Sequence, residues 1–131
     1  MELVTSITVT PIYIAILGLL FVPFTVRAGL YRAKSKIFIG TGDDPEMVRR
    51  MRGQANFIET VPIALILLLT MELLGAADTW LHVLGISLVL GRTSHYLGLT
   101  ELGPQMLRVV GMLATLIPIL VSAVWILVDV V

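Results

Sequence analysis

The chain has 131 residues, 57% of them hydrophobic and 14% charged, with a formal net charge of zero and a mean hydropathy of +0.98. Soluble domains run near 45–50% apolar and about 25% charged, so composition places this chain in a membrane, as one domain at this length. Cysteine is absent, which excludes disulfides, cysteine metal sites and a cysteine nucleophile, so a thiol must arrive with a substrate.

The first apolar run, residues 7–26, matches the roughly 20 residues needed to cross the hydrocarbon core. Pro11 and Pro23 fall near its ends, where a missing N–H is tolerated. Met1-Glu2-Leu3 puts no basic residue before that run, and no small-residue cleavage site closes it. It therefore reads as a retained helix and not a signal peptide. A basic exit segment, Arg27 to Lys36, leads into a short apolar loop. Asp43-Asp44-Pro45-Glu46 reads as a helix start, with Asp44 as N-cap and Pro45 in the first turn. The second helix is expected over residues 45–74, about 45 Å long, so its first turns stand outside the bilayer core. Gly75 is its expected C-cap. A third helix is expected over residues 79–97 and a fourth over 104–128, opened by Pro104.

Lys and Arg together number 9. Arg27, Arg32, Lys34, Lys36, Arg49, Arg50 and Arg52 cluster between the first two helices, and Arg92 and Arg108 flank the connection between the last two. With four spans these connections share one side. The positive-inside rule makes that side cytoplasmic and both termini external, in a multi-pass protein of the cell (inner) membrane. Trp80 and Trp125 then fall near the outer interface, Tyr31 and Tyr96 near the inner one.

The candidate site lies on the second helix. At about 100° per residue, Arg49, Arg52, Asn56 and Glu59 fall within an arc of roughly 80°. A carboxylate at membrane depth costs about 2.5–3.5 kcal/mol on insertion scales unless it meets a partner or a wet cavity. For Glu59 the partner is one to two turns back along its own helix. The plain alternative is an internally neutralised cluster that fixes helix packing. Four polar side chains on one stripe favour a functional site.

Arg92 and Arg108 each read either as a snorkelling anchor or as an anion contact, and a guanidinium that stays charged suits stabilising an anion rather than moving a proton. His95 and Tyr96 follow Arg92 on a neighbouring face and read most simply as interfacial residues satisfied by loop or water. His82, near the opposite end of the third helix, reads as a packed histidine, and no histidine pair has metal-ligand spacing. Glu72 and Asp78 are expected in solvent at the outer end. Gly85, Gly91, Gly111 and Thr115 are small residues suited to close helix approach. No phosphate loop, serine triad, zinc signature or nucleic-acid motif is present.

The spacing Arg52-x-x-x-Asn56-x-x-Glu59-x-x-Pro62 on the second of four spans resembles the MAPEG family, the membrane-associated proteins in eicosanoid and glutathione metabolism. Gly91-Arg92-Thr93-Ser94-His95-Tyr96-Leu97-Gly98, with Arg108 at the start of the last helix, is also similar to that family. The short connection from Glu72 through Gly75 to Trp80 and His82 resembles its small bacterial, YecN-like branch. The resemblance implies an all-α, four-transmembrane-helix subunit assembling as a homotrimer, with sites between neighbouring subunits on the cytoplasmic side. It implies glutathione as cosubstrate, held by Arg52, Asn56, Glu59 and Arg92, with Arg49, Arg27 or Arg32, His95 and Tyr96 as further contacts. Arg108 is implied to stabilise the thiolate. The chemistry agrees: glutathione carries two carboxylates, one ammonium and one thiol, and a nearby cation favours the reactive thiolate.

The expected activity is glutathione transfer, with peroxidase activity beside it, on hydrophobic electrophiles that partition from membrane lipids. Neither a metal nor a nucleic-acid partner is expected. Leu99 stands where several family enzymes carry a tyrosine near the thiol, and Thr60 where an aromatic or amide residue is common. Two rivals remain: a noncatalytic lipid-binding or scaffolding member of the same family, and a small multidrug exporter built on one membrane glutamate.

Overall fold

A computed structural model of the protein describes residues 7–131. The Met1–Leu3 segment, on which the retained-helix expectation turns, lies outside the described residues. Four helices follow in order: α1 (Thr10–Ser35), α2 (Pro45–Leu73), α3 (Asp78–Leu99) and α4 (Met106–Val130). Three of them, α1, α2 and α4, are long and apolar enough to cross a membrane. The 22 residues of α3 give it the length to match them. It carries Arg92, His95 and Tyr96 buried against its neighbours. The protein is an all-α membrane bundle in which successive helices run antiparallel, joined by short connections.

α1 does not stop at Val26. It continues through the basic segment, because Arg27 to Lys34 contains good helix formers and Ala28 packs into the bundle. Pro23 is consequently interior to the helix instead of near its end. The helix ends with Lys36 in the left-handed region (φ 57°), where the Ile37 N–H reaches the Arg32 carbonyl at 3.1 Å. Nη1 of Arg32 donates to the loop carbonyls of Ile37 and Gly40, 2.9 Å each, and ties the turn down.

Asp44 caps α2 as expected: its Oδ1 accepts from the Glu46 N–H at 2.9 Å and the Met47 N–H at 3.3 Å. The Tyr31 hydroxyl donates to the other carboxylate oxygen at 2.8 Å, joining that cap to α1. At the far end, Gly75 (φ 85°) closes α2. Its N–H bonds the Glu72 carbonyl and that of Ala76 bonds the Met71 carbonyl, both at 3.0 Å.

Glu72 overturns the expectation of a solvated acid. It is 6% exposed, and its carboxylate accepts from the N–H groups of Thr8, Val9 and Thr10 at 2.6–2.7 Å. It thereby caps the start of α1, where four amide donors lack helical partners and the positive dipole end favours an anion.

Two apolar clusters stack along the bundle. Val9, Tyr13, Leu68, Met71, Leu81 and Leu84 form the one beside Glu72. Leu17, Phe24, Phe57, Val61, Leu88 and Tyr96 form the other. Large side chains such as Leu19, Ile66 and Leu120 point outward along the spans, as a hydrocarbon solvent allows.

α3 and α4 approach closely because small residues meet. A Cβ on Gly111 would collide with the backbone of His95 and the carbonyl of Gly91, and one on Gly91 would lie 2.9 Å from the Thr115 hydroxyl. That contact sets the position of the site.

Candidate functional site

α2, α3 and α4 line a half-open cavity of about 390 Å³, bordered by Arg52, Asn56, His95, Leu99, Arg108, Val109, Met112 and Leu113. The volume falls within the range of small-molecule sites, and the lining has their usual form, an apolar wall with a few convergent polar groups. A second cavity of about 490 Å³ adjoins it toward the α3–α4 connection and shares Arg52, Leu99 and Arg108, adding Arg49, Glu101 and Gln105.

The two polar walls arise differently. On α2, Arg52 and Asn56 stand one turn apart on the stripe that the sequence pattern describes. Arg52 also reaches forward to Glu59 at 3.4 Å, the neutralisation expected for that acid. This pair is not buried, since the two side chains are 52% and 54% exposed. On α3, His95 is 4% exposed. Its Nδ1 lies 2.9 Å from the backbone carbonyl of Arg108, a contact made possible by the absence of a side chain at Gly111. Nε2 is buried and has no hydrogen-bond partner among the described residues.

Arg92 sits behind the wall, not in it. Its side chain is 1% exposed: Nε donates to the Thr115 hydroxyl at 2.7 Å and Nη1 donates to the amide oxygen of Asn56. Nη2 faces the Met112 sulfur at 4.0 Å. Neither Arg92 nor Arg108 has a carboxylate partner among the described residues. Arg92 therefore reaches the cavity through Asn56. Because a guanidinium only donates, the amide turns its oxygen to Arg92 and leaves its NH₂ group for other acceptors.

The remaining sequence-predicted residues separate into two groups. Arg49 lies at the adjoining cavity, paired with Glu46 at 3.0 Å and with Glu101 at 3.6 Å. Arg27, Arg32 and Tyr96 lie away from the main cavity. Tyr96 is stacked on Phe24 with ring centroids 3.6 Å apart and accepts a 2.9 Å bond from Arg27. Arg32 lines a separate hollow of about 470 Å³ between α1 and α2, with Met51, Gln54 and Ile58. The residues that sequence reasoning missed are Thr115, read as packing alone, and Met112 and Glu101, for which the sequence carries no local signal. Among the described residues no three metal-ligating side chains come together.

The sequence model of the MAPEG family matches residues 10–128. Two curated relatives from two strains of Escherichia coli, each named as the inner membrane protein YecN, are 35% identical over 91 residues. The match covers 69% of this chain and 69% of each relative. No solved structure matches the chain.

Proposed function

The chain belongs to the MAPEG family, and on that premise we propose that it is an integral-membrane glutathione transferase. The observation that carries the reading is the meeting of Arg52, Asn56, His95 and Arg108 at one cavity that Leu99, Val109, Met112 and Leu113 also line. The polar wall offers guanidinium and amide donors suited to carboxylates and a thiolate. The apolar wall suits a greasy electrophile entering from the bilayer. Arg108 stabilises the thiolate, because a positive charge near sulfur favours the ionised nucleophile. Arg52, Asn56 and Glu59 bind the tripeptide, Arg92 orients Asn56, and Arg49 steers a carboxylate in from the adjoining cavity. Holding thiolate and electrophile together contributes through proximity. The same thiolate attacks the outer oxygen of a hydroperoxide to release the alcohol, and a second glutathione then displaces water from the oxidised sulfur and leaves glutathione disulfide.

The proposed assembly is a homotrimer with the basic end on the cytoplasmic side. An ion pair as exposed as Arg52–Glu59, at the start of an apolar span, requires a polar cover. A neighbouring copy supplies one. The hollow holding Arg32 and Gln54 lies apart from the main cavity of its own chain, and in the proposed trimer the arginines of α1 serve the tripeptide of a neighbouring copy. Native mass spectrometry of the detergent-solubilised protein tests the count.

Calorimetric binding of glutathione, together with a thiolate absorbance at the ultraviolet edge, tests the activity. Absence of both favours the second reading, a noncatalytic lipid-binding member. The specific feature on that side is Leu99, an apolar residue on the cavity wall.

A further inference from the structure

We infer that Glu101 receives the ammonium of the tripeptide's γ-glutamyl head, while Arg49 takes the carboxylate on the same carbon, an inference that rests on the glutathione reading above. Among the described residues Glu101 is the one carboxylate on the wall of either cavity. Glu46 and Glu59 on α2 line neither, and both oxygens of each are engaged by Arg49, Arg50 or Arg52. Glu101 is different. It lies 3.6 Å from Nε of Arg49, beyond hydrogen-bond distance, on a side chain that is 70% exposed. An ion pair so long and so exposed contributes little and yields readily to a ligand.

The backbone presents this side chain at a fixed turn. α3 ends at Leu99, and Glu101 follows in the left-handed region (φ 59°), at a position glycine ordinarily fills. The N–H groups of Leu102 and Gly103 bond back to the Leu97 carbonyl at 3.0 and 3.1 Å, which ties the turn to the helix. A ligand that satisfies Arg49 and Glu101 together must carry an anion and a cation on neighbouring atoms. An α-amino acid head does, because its carboxylate and ammonium share one carbon. The glycyl end of glutathione brings a carboxylate alone, which Glu101 repels. The two cavities share Arg52, Leu99 and Arg108, so one ligand can span them, with its head at Arg49 and Glu101 and its thiol at Arg108. Binding then exchanges one long contact for two ion pairs.

Calorimetry on the detergent-solubilised protein tests this with two thiols, glutathione and glutaryl-cysteinylglycine, which lacks only the amino group. Glu101→Gln is expected to bind glutathione roughly fivefold more weakly, and to bind the glutaryl thiol as well as the parent protein does or better. The sign is decisive. Glutathione is a net anion at neutral pH, so loss of a glutamate acting through its field alone would tighten both ligands. An unchanged glutathione affinity, or a shift in the same direction and of equal size for both thiols, overturns the inference and leaves the transferase reading standing. Failure of the parent to bind glutathione overturns both. Glu101→Gly removes the side chain and suits the backbone of the turn, so it is expected to melt no lower than the parent and still to lose glutathione affinity as the Gln variant does. A glycine variant that binds glutathione as tightly as the parent overturns the assignment.

Discussion

The amide oxygen of Asn56 on α2 accepts from Nη1 of Arg92 on α3, and this one contact decides which face of the amide the cavity meets. It also gives a fully buried guanidinium its acceptor on α2. Buried charge without a carboxylate partner is costly, so Asn56 and Thr115 hold Arg92 in place as much as Arg92 holds them. Asn56→Leu is expected to lower stability by about 1–3 kcal/mol, the cost of an unpaired buried donor. Adding Arg92→Met should recover much of that loss, because the orphaned charge goes with it. Thermal unfolding in detergent checks both, and a double variant no more stable than the single one removes the argument.

Arg108 and Asn56 approach the cavity from different helices, so their losses should be separable. Arg108→Ala is expected to abolish the thiolate absorbance while the protein stays assembled, because its side chain is exposed and forms no ion pair among the described residues. Stopped-flow absorbance with glutathione, alongside native mass spectrometry, makes the measurement. Turnover equal to that of the parent protein takes Arg108 out of the chemistry.

Glu59→Gln keeps the shape of the side chain and removes its charge. We expect glutathione to bind roughly tenfold more weakly, the equivalent of one charge-assisted contact, with assembly intact. Calorimetry and cross-linking read the two effects apart. If the main result is loss of assembly, the Arg52–Glu59 pair serves to join copies and not to hold a ligand.

The helical organisation was legible because periodic apolar runs and local end signals carry it. Asp44 followed by Pro45 marks the start of α2 within four residues of sequence, and Gly75 marks its end. The stripe of Arg52, Asn56 and Glu59 was legible for the same reason, since helix geometry fixes which residues share a face. What the sequence hides is anything made between elements. Glu72 caps α1 from the far end of α2, so nothing in its neighbourhood signals that role. Arg92 and Tyr96 are one turn apart on α3, yet one supports the cavity and the other packs on Phe24. That division depends on the rotation of α3, which close contacts with α2 at Gly53 and with α4 at Gly91 and Gly111 hold.

The Asp44 cap gives a pH-dependent handle outside the membrane. The Tyr31 hydroxyl bonded to its carboxylate, and secondarily the Met47 and Glu46 N–H groups, hold Asp44 below the usual carboxylate range. A carboxylate depressed on folding contributes stability above its unfolded pKa of about 4, and that contribution is lost as pH falls through the folded value. Melting temperature should therefore drop as the solution is acidified below about pH 4. Asp44→Asn, which retains an acceptor for the cap but cannot ionise, should flatten this limb of the profile. An unchanged slope assigns the acid sensitivity to other carboxylates.

Gly111 and Gly18 are both helical glycines, and their predicted responses to alanine are opposite. At Gly18 an added Cβ meets nothing within 4 Å, so the change should be neutral or slightly stabilising through lower chain entropy in the unfolded state. At Gly111 the same methyl group falls on the His95 backbone and the Gly91 carbonyl, atoms that cannot turn aside as a side chain could. α4 must then move away from α3, at a cost of about 1–3 kcal/mol for overpacking. The same movement lengthens the bond from His95 Nδ1 to the Arg108 carbonyl, which ties the start of α4 to α3, and so shifts Arg108 at the cavity. Gly111→Ala should thus lose thiolate formation more steeply than it loses glutathione affinity, whereas Gly18→Ala should change neither. Melting curves, binding calorimetry and thiolate absorbance on the two variants side by side test this. Equal behaviour of the two means that α3 and α4 do not depend on their close contact to build the site.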